Sequence, residues 1–351
     1  MIRKRLLDLQ STITYKIIFI ESICTIDSLV KTNLEITRLT CPDYQNWKKE
    51  EVYNNLNEKI KIFEKNYESL SKETDGDNAI FIKFINEGQE INIRNVRGYY
   101  ESKLLSFMIN IHTGRRPIYF SRHGESVYNT KGWIGGDSEL SPLGEKYGVA
   151  LAKFFEKEKA SLDSTYSKWR IYCSTLKRTI QTAKNLIFIS SYTCHKSLDE
   201  INVGLCDSIT YEEFAEKFPE EAKERARDKL KYRYPRGESY LDMIHRIEHV
   251  IYELERQDGP AIIIGHQGIL RALYGYYASI PIEKIPTLDF PLHTVIKFTP
   301  HAYGFQEERF IIDPETHYVE KEDLEKMRSF TDIEKLLDNS KEYNYLFNIY
   351  F

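Results

Sequence analysis

The chain has 351 residues, 41% of them hydrophobic and 29% charged, with 17 glycines and 11 prolines. That composition excludes collagen-like, low-complexity and wholly disordered classes, and the length suits one or two domains with packed cores. The formal charge of −4 argues against a nucleic-acid binder acting through bulk charge, while leaving room for a small basic pocket that takes an anionic metabolite.

No apolar run approaches the roughly 18 residues of a membrane span. Asp8, Gln10 and Ser11 interrupt the stretch behind the basic start Met1–Arg5, and the run Ile17–Ile20 stops at Glu21. Cys24, Cys41, Cys173, Cys194 and Cys206 are scattered and contain no Cys-x-x-Cys. They point away from a zinc site or disulfide framework and toward a reducing compartment, the cytoplasm by default.

In chain order, Tyr15–Ser22 reads as a strand, and Trp47–Asn66 as a helix with Val52, Leu56, Ile60 and Phe63 at three- and four-residue spacing. The polar stretch Ser71–Asn78 predicts an exposed turn, Ala79–Phe84 a strand, Tyr99–Ile111 a helix and His112–Arg116 a linker. Ile118–Ser121 then predicts a strand ending in Arg122-His123-Gly124-Glu125-Ser126. Ser141-Pro142 starts a helix, with the cap before the proline. Strand Arg170–Cys173 leads to Ser174 and a helix over Lys177–Leu186. Helix Tyr240–Gln257 precedes the apolar strand Ala261–Ile264, which ends in Gly265-His266-Gln267-Gly268 with a further helix behind it. Alternating strands and helices predict an α/β fold with a mostly parallel sheet covered on both faces, whose ligands sit beyond the carboxyl ends of the strands. Arg122 with His123, Ser174 with Arg178, and His266 all fall at those ends.

Two histidines, several arginines and a carboxylate at one place suit phosphoryl transfer. Arginines bind phosphate oxygens bidentately and keep their charge. A neutral imidazole among guanidinium groups can attack phosphorus, and a carboxylic acid can protonate the leaving oxygen. The arginines supply the positive charge, so no cofactor or metal is expected. His245-Arg246-Ile247-Glu248-His249 matches a metallopeptidase spacing, but with no third ligand evident it reads as coincidence. His112, His195, His293, His301 and His317 read as structural or exposed. The six Arg/Lys residues of Arg225–Arg236, with tyrosines among them, form either a solvated face or an anion-binding loop.

Arg122–Ser126 with Asn129 resembles the signature of the histidine phosphatase superfamily. Together with Gly132–Ser141, Ser174–Ala183, Tyr232–Tyr240, Gly265–Arg271 and Pro291–Thr299, it resembles the phosphatase half of the 6-phosphofructo-2-kinase/fructose-2,6-bisphosphatase family. Phe19–Ser22, Cys41–Tyr44 and Met108–His112 resemble the second half of that family's kinase domain. No Gly-x-x-x-x-Gly-Lys-Ser/Thr occurs, and Ile93-Arg94-Asn95-Val96 departs from the family's Asn-Arg order.

The resemblance implies a phosphoglycerate-mutase-like histidine phosphatase domain over 114–305, an incomplete P-loop-kinase-like domain over 1–113, and a tail over 306–351, helix-compatible at Lys321–Leu337 and aromatic-rich at Glu342–Phe351. It implies His123 as the nucleophile that becomes phosphohistidine and Glu200 as the general acid. Arg122, Asn129, Arg178 and His266 would hold the transferred phosphoryl. Gly135, Tyr211, Arg225, Lys229, Tyr240, Gln267 and Arg271 would contact the sugar and its second phosphate. The implied reaction is hydrolysis of fructose 2,6-bisphosphate to fructose 6-phosphate without kinase activity, ATP binding being a family property. Alternatives are a broader sugar-phosphate phosphatase or mutase, or a non-catalytic partner of a full-length family member. The expected partner is a small sugar bisphosphate, with no nucleic acid or membrane, and with homodimerisation or pairing with a full-length relative open.

Overall fold

The computed structural model describes residues 3, 5–7, 16–111, 116–162, 165–189, 191–301, 304–322 and 328–329. The chain divides into two compact units between residues 113 and 114. Tyr15, most of the expected linker at 112–116 and the aromatic segment at 342–351 lie outside the described residues, as does most of the expected helix at 321–337, whose described residues 321–322 and 328–329 are in strands instead. Among the described residues no helix is long and apolar enough to cross a membrane.

The first unit carries a three-stranded sheet, β1 (Ile18–Ile23), β2 (Ile80–Ile85) and β3 (Glu90–Arg94), parallel between β1 and β2 and antiparallel between β2 and β3. Helices cover Asp27–Thr40, Lys49–Lys65 and Tyr99–Asn110. Its core is shallow: Val52 is fully buried, whereas Phe63, on the same predicted stripe, is 70% exposed. The expected exposed turn at 71–78 contains a helical turn, Lys72–Asp75, because the Ser71 hydroxyl accepts the Thr74 N–H. Asp75 is buried there, accepting from Ser71 N–H at 3.0 Å and pairing with Arg3.

The second unit is built on an eight-stranded sheet of β4 (Ile118–Arg122), β5 (Arg170–Cys173), β6 (Ser191–Cys194), β7 (Ala261–Gly265), β8 (Thr294–His301), β9 (Gly304–Ile312), β10 (Val319–Glu322) and β11 (Arg328–Ser329). The order is β10-β9-β8-β4-β7-β5-β6, with β11 also on β9. Central β7 is buried along its whole length, as a parallel strand covered on two faces requires. Alternation divides its side chains: Ile263 packs with Ile118 and Phe120 under the helices Tyr240–Glu255 and Gln267–Tyr277. Ile262 and Ile264 pack with Tyr119 and Ile171 under the helix Pro142–Leu162. Each fully buried isoleucine contributes about 1.5–3 kcal/mol. The Ser141 hydroxyl caps that last helix, accepting from Gly144 N–H at 3.1 Å.

Two expectations for this unit are corrected. Only β4, β7, β5 and β6 run parallel; β8, β9, β10 and β11 are antiparallel, so the sheet is mixed. The boundary at 305 also falls inside the sheet. Phe305, Phe310 and Ile312 of β9 are buried, but the intervening Gln306-Glu307-Glu308-Arg309 hides the strand pattern in the sequence. Glu307 itself is buried because the Tyr274 hydroxyl donates to it at 2.6 Å and Arg309 pairs with it. Arg116, placed in the expected linker, is buried too, donating to the carbonyls of Leu254 and Glu255 at 3.1 and 3.0 Å.

Candidate active site

In the register of β4 and β7, Arg122 faces Gly265, so His123 and His266 emerge side by side just past the two strand ends. The His123 N–H donates to the Gly265 carbonyl at 3.0 Å, and the two imidazole centroids lie 5.1 Å apart. β5 ends at Cys173, opposite Ile264 of β7, which brings Ser174 to the same level. This is the carboxyl edge of the parallel part of the sheet.

His123 is buried, and its Nδ1 lies 2.7 Å from the Gly124 carbonyl. A carbonyl can only accept, so Nδ1 carries the proton and Nε2 keeps its lone pair. Burial, then Arg178, hold the His123 pKa well below the ordinary imidazole value, and the ring is neutral at neutral pH. His266 is fully buried and lowered for the same two leading reasons. Its Nε2 is 2.7 Å from the Ser174 hydroxyl, which in turn touches Thr179 Oγ1 at 2.8 Å. Its Nδ1 has no partner among the described residues.

Arg122 donates to the Phe290 carbonyl at 2.9 Å, leaving a buried Nε without a partner among the described residues. Arg178 donates to the Gly136 carbonyl at 2.7 Å. That carbonyl belongs to a loop that needs glycine: Gly135 and Gly136 have φ of +75° and +66°, and a Cβ on Gly136 would come within 2.3 Å of the Tyr128 ring. Asn129 receives Ser126 N–H and hydroxyl on Oδ1 at 3.0 and 2.9 Å, which directs its amide donors elsewhere.

Glu200 follows the turn Lys196–Leu198 and meets the N-terminus of the Gln267–Tyr277 helix, where both carboxylate oxygens accept the Gly268 N–H at 3.2 and 3.3 Å. A Cβ on Gly268 would lie 2.6 Å from Glu200 Oε1, so only glycine permits the approach.

Further lining comes from the arm formed by helices Tyr211–Lys217 and Pro219–Arg227 and the segment that follows them. Arg225 donates to the Tyr234 hydroxyl at 2.7 Å and stacks 4.8 Å above the Tyr211 ring. Lys229 donates to the Pro286 carbonyl at 3.0 Å; burial, then Arg271 and Arg225, bring its pKa down to about 8. Arg271 donates to the Tyr240 hydroxyl at 3.1 Å.

Many of these groups border one cavity of about 530 Å³. Of the residues expected from the sequence, Arg122, His123, Asn129, Gly135, Arg178, Glu200, Tyr211, Arg225, Lys229, Tyr240, Gln267 and Arg271 line it. His266 is fully buried beside His123 and is not among the residues that line it. Both readings of the basic run hold at once: Arg225 and Lys229 turn inward, while Arg227, Lys231, Arg233 and Arg236 are exposed. Tyr232 and Tyr234 are buried beneath them.

Sequence reasoning missed Arg246. Its five N–H groups are all used, on both Glu238 oxygens and on the carbonyls of Lys196, Ser197 and Asp199, at 2.7–3.2 Å. It therefore fixes the segment that carries Glu200. The only signal was its place inside the motif His245–His249, read there for metal; among the described residues no group of three metal-ligating side chains occurs. Gly268 was visible only as part of a motif, since its role depends on a carboxylate 68 positions away.

An antiparallel-edged α/β sheet with paired histidines and arginines at its strand ends defines a histidine phosphatase, and the profile of that superfamily's branch 1 matches residues 118–313. A 6-phosphofructo-2-kinase profile matches residues 1–115. The human 6-phosphofructo-2-kinase/fructose-2,6-bisphosphatase 1 is 39% identical over 92% of this chain and 67% of its own length. The Caenorhabditis elegans and Arabidopsis thaliana enzymes of that name are 38% and 40% identical, over 85% and 84% of this chain and 64% and 39% of theirs. A solved structure described as mycobacterial hydrolase 1 matches 55% of the chain and 97% of its own at 23% identity and a TM-score of 0.48. The chain belongs to the 6-phosphofructo-2-kinase/fructose-2,6-bisphosphatase family. It spans 39%, 64% and 67% of the length of the plant, nematode and human relatives.

Proposed function

We propose that the second unit hydrolyses the 2-phosphate of fructose 2,6-bisphosphate through a phosphohistidine. His123 Nε2 attacks phosphorus while the bond to the sugar C2 oxygen breaks, and Glu200, protonated at that stage, delivers its proton to the departing oxygen. Water then attacks the phosphohistidine, Glu200 takes up its proton, and inorganic phosphate leaves with the imidazole neutral again. Arg122, Arg178 and His266 stabilise the equatorial oxygens in both steps, and Asn129 adds amide donors. Arg225, Lys229 and Arg271 hold the second phosphate, with Tyr211, Tyr240, Gln267 and the Gly135 backbone about the sugar.

The observation that carries this reading is five cationic side chains on one cavity, Arg122 and Arg178 at the strand ends around His123, Arg225 and Lys229 on the arm, and Arg271 on the helix behind β7. A substrate with two phosphates matches that arrangement, and a chain of net charge −4 binds it by focusing basic groups in a cleft. The names of the family relatives support the same substrate. Kinase activity is not part of the proposal.

The test is phosphate release from fructose 2,6-bisphosphate, run beside 3-phosphoglycerate and with the His123→Ala variant. A strong preference for the bisphosphate, lost in the variant, is expected. Comparable turnover of 3-phosphoglycerate would replace the substrate assignment, and wild-type turnover by His123→Ala would remove the mechanism.

A further inference from the structure

β5 and β6 both end in cysteine, and the two residues are direct register partners: Cys173 faces Cys194. Paired residues on neighbouring strands point to the same face of a sheet. Here the sulfur atoms lie 3.2 Å apart. Strands about 4.8 Å apart place paired Cα atoms within the roughly 4.4–6.8 Å that a disulfide spans. The two thiols differ in access, Cys194 being exposed and Cys173 buried. Cys173 also donates to the Tyr192 hydroxyl at 2.9 Å, and burial pushes its thiol pKa up.

We propose that Cys173 and Cys194 form a reversible disulfide, with a peroxide as oxidant, which slows turnover at the adjoining site. Exposed Cys194 reacts first: its thiol gives up a proton, the thiolate attacks one peroxide oxygen, the O–O bond breaks, and the departing hydroxide takes up that proton, so the products are a sulfenic acid and water. Buried Cys173 then attacks the Cys194 sulfur as a thiolate, losing its proton to the departing oxygen as the S–S bond forms. The S–O bond breaks, and the departing hydroxide leaves as water with the Cys173 proton. In balance, two thiols and one hydrogen peroxide give one disulfide and two waters. A thiol reductant reverses it.

The pair lies where two strand ends lead into the site. Ser174, next to Cys173, holds His266 Nε2 at 2.7 Å. The Cys173 carbonyl accepts the His195 N–H at 2.9 Å, and Thr175 N–H donates to Asp199, the neighbour of Glu200, at 2.8 Å. Closing the sulfurs to a bond of about 2.0 Å draws them together by roughly 1 Å. Where the strand ends pass that shift on to His266 or Glu200, catalytic geometry loses up to about 100-fold in rate. The effect on turnover rests on the proposed roles of His266 and Glu200; the disulfide itself does not.

The experiment treats the whole chain with hydrogen peroxide, alkylates the remaining thiols, maps linked peptides, and follows turnover of fructose 2,6-bisphosphate before and after dithiothreitol. Expected are a Cys173–Cys194 linked peptide, a mass lower by about 2 Da for the two hydrogens lost, and kcat reduced about 10- to 100-fold and restored by reductant. Cys194→Ser, a change at an exposed position, keeps its kcat through the same treatment. Oxidation of other cysteines without that peptide overturns the pairing. Equal turnover of linked and reduced enzyme, or equal loss in Cys194→Ser, overturns the link to the site. A reduced enzyme silent on the sugar bisphosphate counts against the function proposed above, while the mapped peptide still decides the disulfide.

Discussion

The two cationic walls of the cavity are built differently. Around His123, the side chains stem from the ends of adjacent sheet strands or from the segments that follow them, and His123, Arg178 and His266 are nearly or fully buried. On the arm, the groups sit on two short helices and a following segment, Tyr211 is 49% exposed, and Arg225 is held by tyrosine hydroxyls and rings. A sheet edge positions atoms to within fractions of an ångström, as bond making requires. A helical arm fixes charge without fixing each atom, which is enough to recognise a second phosphate. The contrast assigns rate to one wall and substrate preference to the other, so substitutions on the first are expected to lower kcat and those on the second to raise KM.

The largest expected effect is at His123. His123→Ala removes the attacking nitrogen and is expected to lower kcat by about 10⁴-fold or more, with substrate still bound by the arginines. Trapping of a phosphoenzyme after rapid quench checks it, since the variant should show none. Next is Gly268→Ala, whose Cβ would collide with Glu200 Oε1 at 2.6 Å. A displaced acid costs on the order of 100-fold in kcat, with circular dichroism and thermal melting used to show that the fold survives. Unchanged kcat in a folded Gly268→Ala would mean that Glu200 is not the proton donor from its observed position.

Much of the first wall is legible in the sequence, because a continuous apolar strand such as Ala261–Ile264 followed by Gly265-His266 announces both the strand and its tip. The arm is less so. Arg225, Lys229 and their exposed neighbours look alike as letters, and only the burial of Tyr232 and Tyr234 decides which cations face inward. β9 was hidden for a related reason: Glu307 reads as a surface residue until Tyr274 and Arg309 are brought to it from elsewhere in the sequence and along the strand. Cys173 and Cys194 are likewise unremarkable until strand register places them opposite each other. Local pattern carries strand identity; it does not carry partners supplied by the fold.

On the second wall, Lys229→Met removes one charge from the arm. A charged hydrogen bond is worth about 1.5–3 kcal/mol, so a 10- to 100-fold rise in KM is expected with kcat nearly kept. Steady-state kinetics with the sugar bisphosphate decide it, and a fall confined to kcat would erase the division between the walls.

The smallest effect is a titration. The Lys229 pKa is brought down to about 8 because burial and the cations Arg271 and Arg225 disfavour its charge. A lysine so lowered is charged below that pH and loses its proton as pH rises through it. In the free enzyme kcat/KM should therefore decline above about pH 8, while kcat declines later, since bound phosphate stabilises the ammonium. His123 contributes no limb near its ordinary imidazole value, because burial and Arg178 hold it neutral well below that pH. The profile of Lys229→Met should lack the alkaline limb near 8 and otherwise follow the wild type. If the limb persists in the variant, another group on the arm sets it, and the charge that recognises the second phosphate is not chiefly that of Lys229.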